Sequence, residues 1–71
     1  MTEFGLYLAK KSVNKAEVSR KTGIGKSRLS ELAMNPSARL RADELYLIAL
    51  AIDSDPVEIL SHLFKGLKLK E

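Results

Sequence analysis

Apolar residues recur along the chain at helical spacing, and short polar stops separate the runs. Phe4 and Leu8 lie about one turn apart, with Tyr7 on an adjoining face. The run closes at Lys10-Lys11, where positive charge suits the negative end of a helix dipole. After Ser12-Val13, Asn14 stands at an N-cap position with Glu17 three residues on, the spacing of a capping box. This predicts a short helix over 15–22, stopped by Gly23, which accepts a left-handed backbone without a Cβ penalty. A further run over 26–34 puts Leu29, Leu32 and Ala33 on one stripe. Asn35-Pro36 ends it, because the residue before proline is driven out of the α region.

Residues 35–41 read as a loop with Leu40 as its apolar anchor. A fourth helix over 42–52 opens with Asp43 and Glu44, favourable at the positive end of the dipole. Its Leu45, Ile48, Ala49 and Ile52 repeat at i, i+3, i+4 and i+7, with Leu47 and Leu50 widening the core-facing stripe. Ser54 or Asp55 caps a fifth helix that has Pro56 in its first turn and runs to about Phe64. Beyond it Leu67-Lys68-Leu69-Lys70 alternates after Gly66. No internal repeat and no β-rich segment precedes that tail, so the expected fold class is all-α, with five short helices.

At 71 residues the chain is expected to form one domain with a thin stability margin. It has no Cys and a single histidine, His62, which removes disulfides, a thiolate nucleophile and a Cys/His metal cluster. No metal or other cofactor is expected. No stretch reaches the ~18 apolar residues of a membrane span, and the N-terminus lacks the order of a signal peptide. A soluble cytoplasmic protein is expected, and an elaborate enzyme is disfavoured for want of a catalytic constellation.

The net charge of +3 conceals a division. Residues 1–41 carry nine basic and three acidic side chains, whereas residues 42–71 carry three basic and six acidic ones. A basic half joined to an acidic half points to a polyanion meeting one side of the molecule.

Two helices joined through Gly23 have the spacing of a helix-turn-helix. The first must stop sharply, Ile24 must fill the space between them, and a small residue, Ser19, must let the axes approach. With Val18, Leu29 and Leu32 inward, the residues between face outward, and the second helix fits a DNA major groove. Residues 13–62 resemble the Xre-type (Cro/C1 repressor-like) helix-turn-helix family in order and spacing. The resemblance runs from the stretch Val13 to Ile24 through Leu45-Tyr46-Leu47-Ile48-Ala49-Leu50-Ala51-Ile52 to an acidic-Pro cap and Ile59-Leu60.

That resemblance implies a compact five-helix, lambda-repressor-like DNA-binding domain over 1–64, with residues 65–71 a tail. It implies base contacts from Lys26, Ser27, Ser30 and Glu31 on the outward face of the third helix, with Arg28 as a base or phosphate contact. The chemistry suits the role, since Lys donates to guanine O6 and N7, Ser to most edges, and Glu accepts from cytosine N4. It also implies phosphate contacts from Asn14 and Lys15 at the second helix N-terminus, and from Arg39 and Arg41 in the following loop. The implied partner is double-stranded DNA, bound as a homodimer at a palindromic operator to repress transcription. Leu60, Leu63, Phe64 and Leu67 form the expected dimer seam.

Three positions depart from the family pattern. Gly25 stands where a Ser or Thr usually caps the third helix. Leu8 and Ala33 occupy positions where many relatives pair Arg with Glu, an apolar replacement for a buried ion pair. Asn35 replaces a glycine common after the third helix, though it tolerates a left-handed backbone.

Other readings carry less. Gly23-Ile24-Gly25-Lys26-Ser27 lacks both the upstream glycine and the strand that a phosphate loop requires. Glu31 has Arg28 and Lys26 as alternative partners to a base. Asp53 and Asp55 fit a turn and a cap, His62 a surface position on the last helix, and Tyr7 and Tyr46 core or rim packing. The rival from another class is a protein-interaction module on the same scaffold, such as an antitoxin whose partner is a toxin.

Overall fold

Three of the five helices start where a polar side chain accepts from the freed first-turn amides. The structure, a computed structural model, describes residues 1–71 and contains α1 (Glu3–Lys10), α2 (Lys15–Thr22), α3 (Lys26–Met34), α4 (Ala42–Ala51) and α5 (Pro56–Phe64). No residue is in a strand. Thr2 caps α1, its hydroxyl accepting from the Gly5 amide at 3.0 Å. Asn14 caps α2 through the Glu17 amide at 3.2 Å, but the Glu17 carboxylate turns to Arg20, so only half of the expected box forms. Asp55, rather than Ser54, caps α5 by accepting from the Val57 amide at 2.9 Å.

α1 packs on α3, α2 on both α3 and α4, and α4 on α5. The core joins Phe4, Tyr7 and Leu8 to Val18, Leu29, Leu32, Leu45, Ile48, Ala49 and Ile59. Leu29, Ile48 and Ile59 are fully enclosed, so α3, α4 and α5 each drive one side chain into the centre. Leu8 and Ala33 are both buried, as two apolar residues at the α1–α3 contact should be. Tyr7 reaches across the core: its ring lies 5.4 Å from the His62 ring and its hydroxyl is 3.5 Å from the Ser54 hydroxyl. His62 is therefore half-buried against Tyr7 rather than a free surface residue.

Two further expectations change. Leu47 and Leu50 do not widen the core face of α4; they are 40% and 54% exposed, on the side of the helix opposite buried Leu45, Ile48 and Ala49. Asn35 is extended (φ −98°), and the left-handed residues are Gly23, Ser12 and Asp53. Asn35 instead makes an Asx turn, its side-chain oxygen accepting from the Ser37 amide at 2.9 Å.

Gly5 is the close-approach point of α1 and α3. A Cβ built there would lie 2.3 Å from the Ala33 carbonyl oxygen. The same carbonyl accepts from the Thr2 amide at 2.8 Å, and the Thr2 hydroxyl is shared between the Leu32 and Ala33 carbonyls at 2.8 and 2.9 Å. The N-terminal residues thus satisfy carbonyls that the end of α3 would otherwise leave open.

Candidate nucleic-acid interface

The turn between α2 and α3 is built by Thr22 and Gly23. Gly23 sits at φ +79°, and its amide donates to the Ser19 carbonyl at 2.9 Å, closing α2. The Thr22 hydroxyl donates to the Val18 carbonyl at 2.7 Å and accepts from the Ile24 amide at 3.1 Å. One side chain therefore satisfies backbone groups on both sides of the bend. Ile24 packs against the core, as the wedge between the helices must, while Val18 is buried and Ser19 half-buried.

With Leu29, Leu32 and Ala33 inward, α3 leaves Lys26 and Ser27 exposed and Ser30 half-exposed. Gly25 provides no side-chain cap, so the first amides of α3 lie open beside Lys26. Lys26, Lys15 and Arg39 form no ion pair within the chain. Lys15 opens α2, where the Asn14 side-chain oxygen accepts the cap bond and its NH2 group has no partner within the chain. Arg41 is exposed and pairs with Asp43 at 2.9 Å, an exposed contact that screening makes weak.

Arg28 and Glu31 are arranged differently from their neighbours. The Arg28 guanidinium lies against Glu44, Nε donating to Oε2 at 2.8 Å and Nη2 to Oε1 at 2.9 Å. Nη2 also donates to the Arg39 carbonyl at 2.7 Å, and Nη1 to Glu31 Oε1 at 2.6 Å. Glu44 is buried, and its Oε1 also accepts from the Arg41 amide at 2.9 Å. This is the return half of a capping box; Arg41 has no side-chain acceptor to supply the other half. The hydrogen bonds from Arg28 hold the Glu44 carboxyl below its usual range, against the opposing effect of burial. Reciprocally, the two carboxylates push the Arg28 pKa up, first through Glu44 and then Glu31.

The expected seam residues divide. Leu60, Phe64 and Leu67 are 48%, 45% and 74% exposed, whereas Leu63 packs against the chain's own core. Leu63 and Phe64 also line a groove of about 510 Å³ with Met1, Phe4 and Leu40. Nowhere do three or more His, Cys, Asp or Glu side chains gather as they would to hold a metal ion, and no helix is long and apolar enough to cross a membrane.

Sequence reasoning missed three residues that shape this surface. Thr22 and Thr2 draw no notice in the sequence pattern, although a hydroxyl at a helix boundary is a recognisable cap signal. Glu44 was legible only as a favourable first-turn charge; its pairing with a residue 16 positions away leaves no local signal.

A family model for the Cro/C1-type HTH DNA-binding domain matches residues 6–65. The chain belongs to this family of helix-turn-helix DNA-binding domains. The match spans all of α2, α3, α4 and α5, so the bend at Gly23 is the family's helix-turn-helix and α3 its second helix. Among curated proteins and among solved structures, nothing matches this chain.

Proposed function

We propose that this Cro/C1-type domain is a sequence-specific transcriptional repressor that binds a palindromic operator as a homodimer. The observation that carries this reading is the second helix of the family's motif, α3, with Lys26, Ser27 and Ser30 outward while Leu29, Leu32 and Ala33 anchor it. Lys26 donates to guanine acceptors and the two serines to either donors or acceptors on base edges. Lys15, the open amides of the α2 N-terminus beside Asn14, and the loop residues Arg39 and Arg41 contact flanking phosphates. Residues 1–64 act as the DNA-binding domain. Leu60, Phe64 and Leu67, with Leu63 at the edge, join two copies along α5 and the tail 65–71. Dimerisation would set two α3 helices about 34 Å apart, one helical turn of DNA.

The test is a binding selection from a random duplex library at near-physiological salt. An enriched inverted repeat with half-sites one turn apart is the expected result. No enrichment of any sequence would overturn the specific-regulator reading in favour of a protein partner such as a toxin. Sedimentation that shows only monomer at high micromolar protein with a palindromic duplex would overturn the dimer.

A further inference from the structure

One ion pair ties α3, the loop after it and α4 together. Of the five N–H groups of the Arg28 guanidinium, four are taken: two by Glu44, one by the Arg39 carbonyl and one by Glu31. A bidentate guanine contact needs two free donors, and only one remains, on Nη1. On the other side, Glu44 accepts from Arg28 twice and from the Arg41 amide once. The pair therefore grips the loop on both sides of Leu40, by the carbonyl of Arg39 and by the amide of Arg41. These are the two loop cations assigned above to phosphate. Glu44 itself is buried and acidic, so it has no direct part in holding DNA.

We propose that Arg28 and Glu44 are positioning residues of the DNA interface. Together they hold Arg39 and Arg41 in register with the exposed face of α3, and Arg28 reads no base. Glu31 completes the clamp by occupying the Nη1 side of the guanidinium, which keeps the side chain turned toward α4. This rests on the DNA-binding reading of the previous subsection.

Glu44→Gln gives a test in which the sign decides. Removing a negative charge from a DNA-binding domain strengthens binding when charge alone matters. The clamp requires the opposite, because the Gln NH2 group cannot accept from the guanidinium, half of the fork is lost and the loop is released. Binding to a short labelled mixed-sequence duplex is followed across a salt series for wild type, Glu44→Gln and Arg28→Lys. Both variants are expected to bind several-fold more weakly, with a salt slope shallower by about 1–2, since each lost phosphate contact removes roughly 0.9. Equal or tighter binding by Glu44→Gln overturns the proposal. In a selection from a random duplex library, Arg28→Lys should retain the wild-type base preferences; loss of preference at one position would instead make Arg28 a base reader.

Amide hydrogen exchange tests the clamp without DNA. Exchange at Arg41 and its loop neighbours should quicken in Glu44→Gln while the core amides of α1 and α5 keep their protection. Unchanged exchange in the loop overturns the clamp. A wild-type protein that binds no duplex overturns the DNA reading, and the exchange result still judges the clamp.

Discussion

Gly5→Ala should destabilise the fold, although alanine is the better helix former. Glycine inside a helix costs about 1 kcal/mol relative to alanine, so propensity alone predicts a gain of that size. The structure opposes it. The new Cβ would sit 2.3 Å from the Ala33 carbonyl oxygen, where ordinary contact begins at 3.4 Å, so α1 and α3 must part by about 1.1 Å. The Met1 side chain, 2.6 Å away, swings aside at little cost, but the carbonyl is backbone. That carbonyl also accepts from the Thr2 amide and hydroxyl, at 2.8 and 2.9 Å, and parting the helices strains both bonds. Overpacking of this kind costs about 1–3 kcal/mol. A lost hydrogen bond adds about 1 kcal/mol, which cancels the propensity gain and leaves a net loss of about 1–3 kcal/mol.

Urea unfolding followed by circular dichroism reads this directly. For a domain of this size, a loss of about 2 kcal/mol lowers Tm by roughly 8–16 °C. Gly66→Ala is the matched control, because nothing lies within 4 Å of a Cβ there and φ is not left-handed; it should stay within about 0.5 kcal/mol of wild type. A Gly5→Ala protein as stable as wild type would refute the close approach of α1 to the end of α3. The consequence reaches the interface, because the carbonyls at that contact close the C-terminal end of the proposed recognition helix.

Gly23→Ala should cost about 1–2 kcal/mol in urea unfolding, because the site has open space but a left-handed backbone, and Gly23→Asn should cost less. Lys26→Ala should lose about 1–3 kcal/mol of specific binding and relax preference at one base position, whereas Lys15→Ala should weaken all duplexes alike and flatten the salt slope; identical behaviour of the two on specific and random duplex would contradict their roles. Arg28 depresses the folded pKa of Glu44, so the stability from their pairing is present above the ordinary carboxyl value of 4.5 and is lost as pH falls through the folded pKa. Urea midpoints for wild type and Glu44→Gln should therefore converge as the pH is lowered from 7 to below about 4; a constant gap would contradict the assignment.

The helices were legible because their signals are local. Gly23 and Asn35-Pro36 punctuate the chain, Pro56 marks the first turn of α5, and the 3.6-residue stripe of Leu29, Leu32 and Ala33 identifies the face of α3 that meets the core. The same stripe decided which α3 residues point outward, so Lys26, Ser27 and Ser30 were readable as a surface before any tertiary contact was known. On α4 the i, i+3, i+4, i+7 stripe of Leu45, Ile48, Ala49 and Ile52 does meet the core, but the opposite face is apolar too, so the predicted stripe is too wide. Leu47 and Leu50 are as apolar as Ile52 but lie on the other side of the helix, and α2 and α5 pack against one side only.

Arg28 shows why spacing identifies a surface but not the task of every residue on it. By position it belongs to the outward set, and by chemistry it is the residue best suited to guanine. What redirects it is a carboxylate 16 residues later, buried on α4 and facing the guanidinium. A buried carboxylate without partners is costly, so once Glu44 is enclosed by α4 packing it takes the nearest set of donors, and Arg28 supplies two of its three. The competition is thus between a bond to DNA that exists only when duplex is present and an intramolecular demand present in every folded molecule. The intramolecular demand dominates, because leaving Glu44 unpaired destabilises the protein whether DNA is bound or not. On the function we propose, base contacts are then left to the short side chains Ser27 and Ser30 and to Lys26, which α3 holds outward. The Thr2–Ala33 bonds and the Arg28–Glu44 pair hold α3 near its two ends, and on the function we propose that is what would let such short side chains reach the base edges.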